Sequence, residues 1–456
     1  MKTQARDMTE GSIAKNIILF YIPLAIGGLF QQLYSFVDSV VVGRGIGAQA
    51  LAAVGATSIV VWLTLGFAMG LTRGFCIHIS QAYGKKDYHL VNRGFFVASV
   101  LSLIVGAMIS IVGSLAIRDF LILMHTPGEI LEQSLDYIKV ILLGFVITVL
   151  NNLFMSVLQS LGDSSTPFWA LLVSSVTNIG LDCVFVLTLK WGVQGAAAAT
   201  VLSQVFSFAI CAAGLKRLKF VSILDGSKSK NARLTVRMLK TGLPVGIMSM
   251  VTAVGGMILQ FFVNDLGASA VAAYAASTKI RSVIGEFSNA MGMTFMTFVG
   301  QNYGAQKYDR IRQSVWVCMG MSVVLTGAMS ALVITFRPFI LGIYTTDPAV
   351  IRLGAYVMAW TVPFNVLFMP VEVFAGAMRG TGCSVLPTVI TCVCVCVFRV
   401  VWIFTVVRTW HRIELLAVCY PLSWLLAATV FSIVYFQGGW LRRRIAQCGM
   451  EPEVRV

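Results

Sequence analysis

Apolar runs of about twenty residues or longer follow one another along almost the whole of this 456-residue chain, and an α-helix needs roughly 20 such residues to cross a bilayer's hydrocarbon. Twelve spans are predicted, over residues 13–42, 51–77, 91–116, 133–158, 166–189, 193–214, 238–263, 271–299, 311–336, 350–378, 386–408 and 414–438. The runs are continuous and rich in Leu, Ala, Val and Met, without the period-2 alternation of a transmembrane barrel strand. A composition 57% hydrophobic and 12% charged, with mean hydropathy +0.84, is far from that of a soluble domain. The expected fold is therefore all-α and integral to the membrane. The polar start, residues 1–16, precedes an apolar stretch too long for a signal-peptide core and lacking a small-residue cleavage site, so the first helix is expected to stay.

The net charge of +15 would suggest nucleic acid in a soluble protein, but here the basic residues follow topology. With the N-terminus inside, 22 Lys and Arg fall on inner segments and 8 on outer ones, a positive-inside bias that places both termini in the cytoplasm of a cell-membrane protein. Basic loops of this kind meet anionic headgroups, and no nucleic-acid partner is expected. The ten cysteines and four histidines show no spacing that would clip a metal, and no cofactor is implied.

Shifting the chain against itself by 220 residues brings three loops into register. Gln81, Tyr83, Gly84 and Tyr88 fall on Gln301, Tyr303, Gly304 and Tyr308; Gly47, Ala48 and Ala50 on Gly267, Ala268 and Ala270; Gly162, Ser164 and Pro167 on Gly382, Ser384 and Pro387. Pro23 and Pro244 match at 221, each near the start of the first span of its half, where a helix is weakened. Six spans per half is an even number, so the halves are parallel repeats, a transporter architecture. The organisation expected is an N-lobe over 1–215, a basic cytoplasmic linker over 216–237, a C-lobe over 238–440 and a basic cytoplasmic tail over 441–456.

A charge at the bilayer centre costs a few kcal/mol, so intramembrane acids need a reason. Asp38, Asp182, Glu286 and Glu372 are the acids within spans. Helix rise places Asp38, Asp182 and Thr200 at one depth, about 7–12 Å below the outer surface, and Asn178 lies one turn from Asp182 on the same face. These four make an all-oxygen set suited to a proton or a hard cation such as Na⁺. Glu286 is expected in an ion-pair network with Lys279 and Arg281. Glu372 can either line a pocket or pair with Arg379.

The N-terminal half also carries VVVGRGIGAQALAAVG after Asp38, then QAYG, LQSLGDSSTP and NIGLD; the C-terminal half carries LGASAVAAYAAS, TFVGQNYGAQ and MRGTGCSVLP. Over about residues 8–440 this resembles a bacterial member of the multidrug and toxic compound extrusion (MATE) family. The resemblance implies two six-helix lobes around a central cavity that opens alternately to each side. It implies H⁺ or Na⁺ uptake driving export of small organic, often cationic, compounds by a protein that is not an enzyme and acts as a monomer in the bilayer. Asp38, Asn178, Asp182 and Thr200 match the N-lobe cation pattern of the DinF-like branch. In the C-lobe, Glu372 lies closer to the RG motif than the acid usual there, and the seventh span offers Gln260 and Asn264 instead of a carboxylate. These two, with Glu286 and Glu372, are candidate cavity residues. The alternative function is a flippase for lipid-linked or polysaccharide substrates, whose cavity would be strongly basic. No nucleotide-binding P-loop is present.

Overall fold

The computed structural model describes all residues except 1–4, 223–224, 226–230, 346, 411, 438 and 448–456. Parts of the predicted linker and of the basic tail therefore lie outside the described residues, as does His411. Among the described residues twelve long helical bodies follow one another: α1 (Ile13–Gly45), α2 (Ala48–Gly84), α3 (Tyr88–Leu123), α4 (Gly128–Leu143 and Phe145–Ser160), α5 (Ser165–Thr188), α6 (Gly192–Arg217), α7 (Ala232–Asn264), α8 (Ala268–Gly304), α9 (Tyr308–Thr335), α10 (Pro348–Gly380), α11 (Val385–Trp410) and α12 (Ile413–Gln437), with short helices at Arg337–Gly342 and Trp440–Gln447. No strand occurs among the described residues. Eleven of the twelve are long and apolar enough to cross a membrane, counting α4 as one. The exception, α8, has the length at 37 residues but carries Lys279, Arg281 and Glu286.

Many helices overrun the predicted spans by a turn or more, because an amphipathic extension continues the hydrogen-bond ladder after the apolar run ends. Their interruptions have local causes. α4 bends by 48° at Gly144, a residue whose missing side chain leaves room for Val201 of α6. α10 passes through a 3₁₀ segment at Pro363–Phe368, where Pro363 cannot donate to the ladder. α5 ends in a π-helical segment, Cys183–Thr188, directly after Asp182, and α11 has one at Ile403–Val407, the same place in the second half.

The duplication is written in the backbone as well. Positive φ recurs in pairs 220 residues apart: Gly47 and Gly267 at 129° and 93°, Lys86 and Gln306 at 60° and 61°, Gly162 and Gly382 both at 85°. The turns they make are bonded alike, with Lys86 N donating to Tyr83 O at 2.9 Å and Gln306 N to Tyr303 O at 3.1 Å.

The chain divides into two compact units, residues 1–8 with 19–250 and residues 9–18 with 251–456. In the first, α2, α3, α4, α6 and the start of α7 enclose Leu71, Phe75, Phe95, Leu153, Val157, Cys211 and Met238, all essentially buried. Here α2 and α7 touch backbone to backbone through two small-xxx-small pairs, Gly70/Gly74 and Gly242/Gly246. A Cβ on Gly70 would lie 2.7 Å from Val245 O and 2.8 Å from the Gly246 Cα, and one on Gly74 would collide with Gly242. At the end of this crossing His78 Nε2 lies 3.2 Å from Thr241 Oγ1 and 3.3 Å from Arg237 O. In the second unit α7, α8, α10, α11 and α12 enclose Leu259, Tyr274, Val357, Ile403, Leu416, Tyr420 and Trp424. The segment 9–11 is tied to the start of α9, Lys307 donating to Thr9 O and Arg310 to Gly11 O, both at 2.9 Å.

Candidate functional site

α1 carries Asp38 and α5 carries Asn178 and Asp182, and the fold brings the two carboxyl groups within hydrogen-bonding reach of each other. Asn178 and Asp182 are 1% and 0% exposed. Asp38 is half-buried, its Oδ1 wholly so. Among the described residues Asp38 Oδ1, both polar side-chain atoms of Asn178 and both oxygens of Asp182 have no hydrogen-bond partner. Two facing carboxylates are acceptors only and cannot satisfy each other. Leaving such groups buried and unpartnered costs several kcal/mol, so the arrangement calls for a positive species: a proton shared between the acids, or a cation taking their oxygens together with Asn178 Oδ1. The donor set is all oxygen, which fits a hard cation.

Thr200, on α6 packed against α5, is half-buried. Its hydroxyl donates to Ala196 O at 3.1 Å, which leaves the oxygen's lone pairs available, but no hydrogen bond joins it to the two acids among the described residues. Sequence reasoning missed two tyrosines. Tyr34, one turn before Asp38 on the same face, and Tyr137 on α4 both sit in the field of the two carboxyl groups. The i, i+4 spacing of Tyr34 was a usable signal; nothing local pointed to Tyr137. One turn beyond each of Asp38, Asp182 and Thr200 stand Val42, Val186 and Ala196, which with Ala50, Tyr137, Val193 and Ala197 form a buried apolar layer. The polar set is thus sealed on that side by hydrocarbon.

The C-terminal candidates do not form a matching site. Gln260 Nε2 donates to Asn264 Oδ1 at 3.0 Å, an exposed pair on one turn of α7. Glu372 lies in the field of Arg379, seven residues on along the same helix, and its carboxyl packs where a side chain on Gly292 would stand. No group of three or more His, Cys, Asp or Glu converges among the described residues.

Glu286 is half-buried on α8, and among the described residues it makes no ion pair with Lys279 or Arg281. Lys279 is exposed, and Arg281 turns to an aromatic ring. Its Cζ lies 4.3 Å from the centroid of Tyr420, and Arg399 Cζ lies 4.2 Å from the same ring. Arg281 Nη2 donates to the Tyr420 hydroxyl at 3.3 Å, Tyr420 and Tyr274 hydroxyls are 2.7 Å apart, and Arg399 Nε donates to Ser423 Oγ at 2.9 Å. Neither arginine makes an ion pair among the described residues. A desolvated cation–π contact is worth about 2 kcal/mol, comparable to or less than the cost of a charge inside the bilayer, so Tyr420 offsets much of the burial without neutralising it. Spacing could not reveal this cluster, because its members come from three helices whose mutual packing no local pattern encodes.

Two copies of one helical bundle, with unpartnered carboxyl groups buried in the first, define a membrane transporter built from parallel repeats. The MatE family model matches the chain twice, over residues 23–184 and 244–405, and the two matches begin on Pro23 and Pro244. The chain belongs to the MATE family and is a multi-pass membrane protein. It is similar to the probable multidrug resistance protein YoeA of Bacillus subtilis (strain 168), with 27% identity over 96% of each chain. Its fold is similar to the crystal structure of MATE in the bent conformation, with 25% identity and a TM-score of 0.88 over 98% and 99% of the two chains. It is also similar to the outward-facing conformation of a multidrug resistance MATE family transporter, with 25% identity and a TM-score of 0.86 over 99% and 100%.

Proposed function

We propose that this protein is a secondary active exporter of small organic compounds, multidrug in range and often handling cations, that takes up H⁺ or Na⁺ in exchange at Asp38, Asn178, Asp182 and Thr200. The observation that carries the reading is the unpartnered set of Asp38, Asn178 and Asp182 buried in α1 and α5. A site that costs free energy when empty and is relieved by one positive charge links cation occupancy to conformation. Whichever arrangement of helices holds the cation better is the one its binding favours. In the proposed cycle the acids load from the outer face, the occupied site favours closure on that side, and the cation leaves inward as the next substrate is admitted. Val42, Val186 and Ala196 supply the seal that keeps the loaded ion from returning outward. One charge moving through 100 mV yields about 2.3 kcal/mol, enough for a roughly 50-fold gradient.

The names borne by YoeA and by the outward-facing MATE transporter support drug export over a lipid-linked flippase. On this reading the protein works in the cell membrane as a monomer, with both termini in the cytoplasm and lobes over 1–215 and 238–440 joined by the basic segment 216–237.

The test is export of a fluorescent cationic dye from proteoliposomes under an imposed Na⁺ gradient or pH gradient, applied separately. Wild-type protein is expected to follow one of the two gradients, and Asp38→Asn and Asp182→Asn to lose at least nine-tenths of the coupled rate. Export at the wild-type rate in both variants would remove the coupling site.

A further inference from the structure

Arg399 stands near the middle of α11, and Arg281 about a third of the way along α8. Both are half-buried, and both guanidiniums pack on the ring of Tyr420, a residue of α12 that is 3% exposed. Each guanidinium has five N–H donors. One of Arg281's goes to the Tyr420 hydroxyl and one of Arg399's to Ser423, and among the described residues no carboxylate forms an ion pair with either. Beside them runs a short aromatic series, Tyr420 to Trp424 at 5.7 Å and Trp424 to Phe368 at 5.9 Å.

The place is also telling. At the offset of 220 residues given by the paired turns and by the π-helical segments that start at 183 and 403, Asn178 falls on Phe398, the residue before Arg399. At the same offset Tyr420 is the counterpart of Thr200. The second copy thus carries Arg399 next to the position of Asn178 and Tyr420 at the position of Thr200. An arginine kept within a span without a counter-ion marks a site by default, and the planar fork of a guanidinium suits a carboxylate or sulfonate better than any apolar group.

We propose that Arg281 and Arg399, gathered on Tyr420, bind the anionic group of an aromatic carboxylate or sulfonate, with Trp424 and Phe368 flanking its ring. As a statement about binding this stands by itself; that such organic anions or zwitterions are cargo rests on the efflux reading.

The experiment is equilibrium dialysis of detergent-purified full-length protein against radiolabelled naphthalene-2-carboxylate and its neutral isostere naphthalene-2-carboxamide. Wild-type protein is expected to bind the carboxylate at least tenfold tighter than the amide. Arg281→Gln and Arg399→Gln should each erase that preference, Arg399→Lys should retain part of it, and Asp38→Asn should leave it within twofold. Equal binding of acid and amide by wild-type protein would overturn the proposal. So would an undiminished preference in both Gln variants, or displacement of the carboxylate by equimolar chloride, which would make the pair an inorganic-anion site. If the Gln variants do not fold, the acid–amide comparison on wild-type protein and the Lys variant decide. Loss of gradient-driven dye export with this preference intact would sink the efflux reading and leave the anion site standing.

Discussion

Asp163 closes the turn between α4 and α5 and caps the latter. Its Oδ1 accepts from the amides of Ser165 and Thr166 at 3.0 and 2.9 Å, and its Oδ2 from the Thr166 hydroxyl at 2.7 Å. Burial pushes its carboxyl above the usual range, and these bonds pull it back only in part. A carboxyl raised in the folded state makes folding less favourable as pH rises from the ordinary carboxylate range through the folded value, and costs nothing below that range. Asp163→Asn, which keeps the acceptor and removes the charge, should therefore unfold at a higher temperature than wild type at neutral pH, the gap closing as pH falls toward 3. Asp163→Ala should lose the cap, worth about 1 kcal/mol. Thermal unfolding in detergent across pH distinguishes the two. The counterpart in the second half is Cys383, so the cap belongs to one repeat only. At this scale the sequence was informative where a residue type is rare in its setting. Asp38 and Asp182 stood out because acids seldom lie inside spans, whereas Arg281 was read as pairing with Glu286 because helix proximity says nothing about a ring arriving from α12.

The glycine crossing of α2 and α7 is an element with no side chains at its centre. Adding even a methyl to Gly74 forces the two backbones apart, and overpacking of this kind costs about 1–3 kcal/mol. Gly256, on the same α7, has open space around its missing Cβ, and alanine there gains helix propensity of up to about 1 kcal/mol. Gly74→Ala should lower the unfolding temperature and Gly256→Ala should hold or raise it; two shifts of the same sign would contradict the packing described. Helix existence was legible from apolar length alone, since nothing else accounts for twenty apolar residues in a row. The bend of α4 and the π-helical segments of α5 and α11 were not. They depend on neighbouring helices, such as α6 pressing Val201 into the gap at Gly144, and not on the residues that bend.

For the whole molecule, the proposed topology of twelve spans puts both ends of the chain on one side, and the excess of basic residues on that side predicts the cytoplasm. Protease-cleavable tags at the two termini should both resist digestion in intact cells and both be cut after permeabilisation; a tag cut in intact cells would contradict that orientation. The repeat was readable in sequence through three short loops, and the structure adds the paired left-handed turns at 47 and 267, 86 and 306, and 162 and 382. These turns have a historical meaning. Residues between the turns have parted, with Asp163 opposite Cys383 and Thr200 opposite Tyr420, while the corners of the chain kept their positive φ. A doubled gene in which the corners are held and the walls are free to drift can give one copy to the driving ion and release the other to follow the cargo.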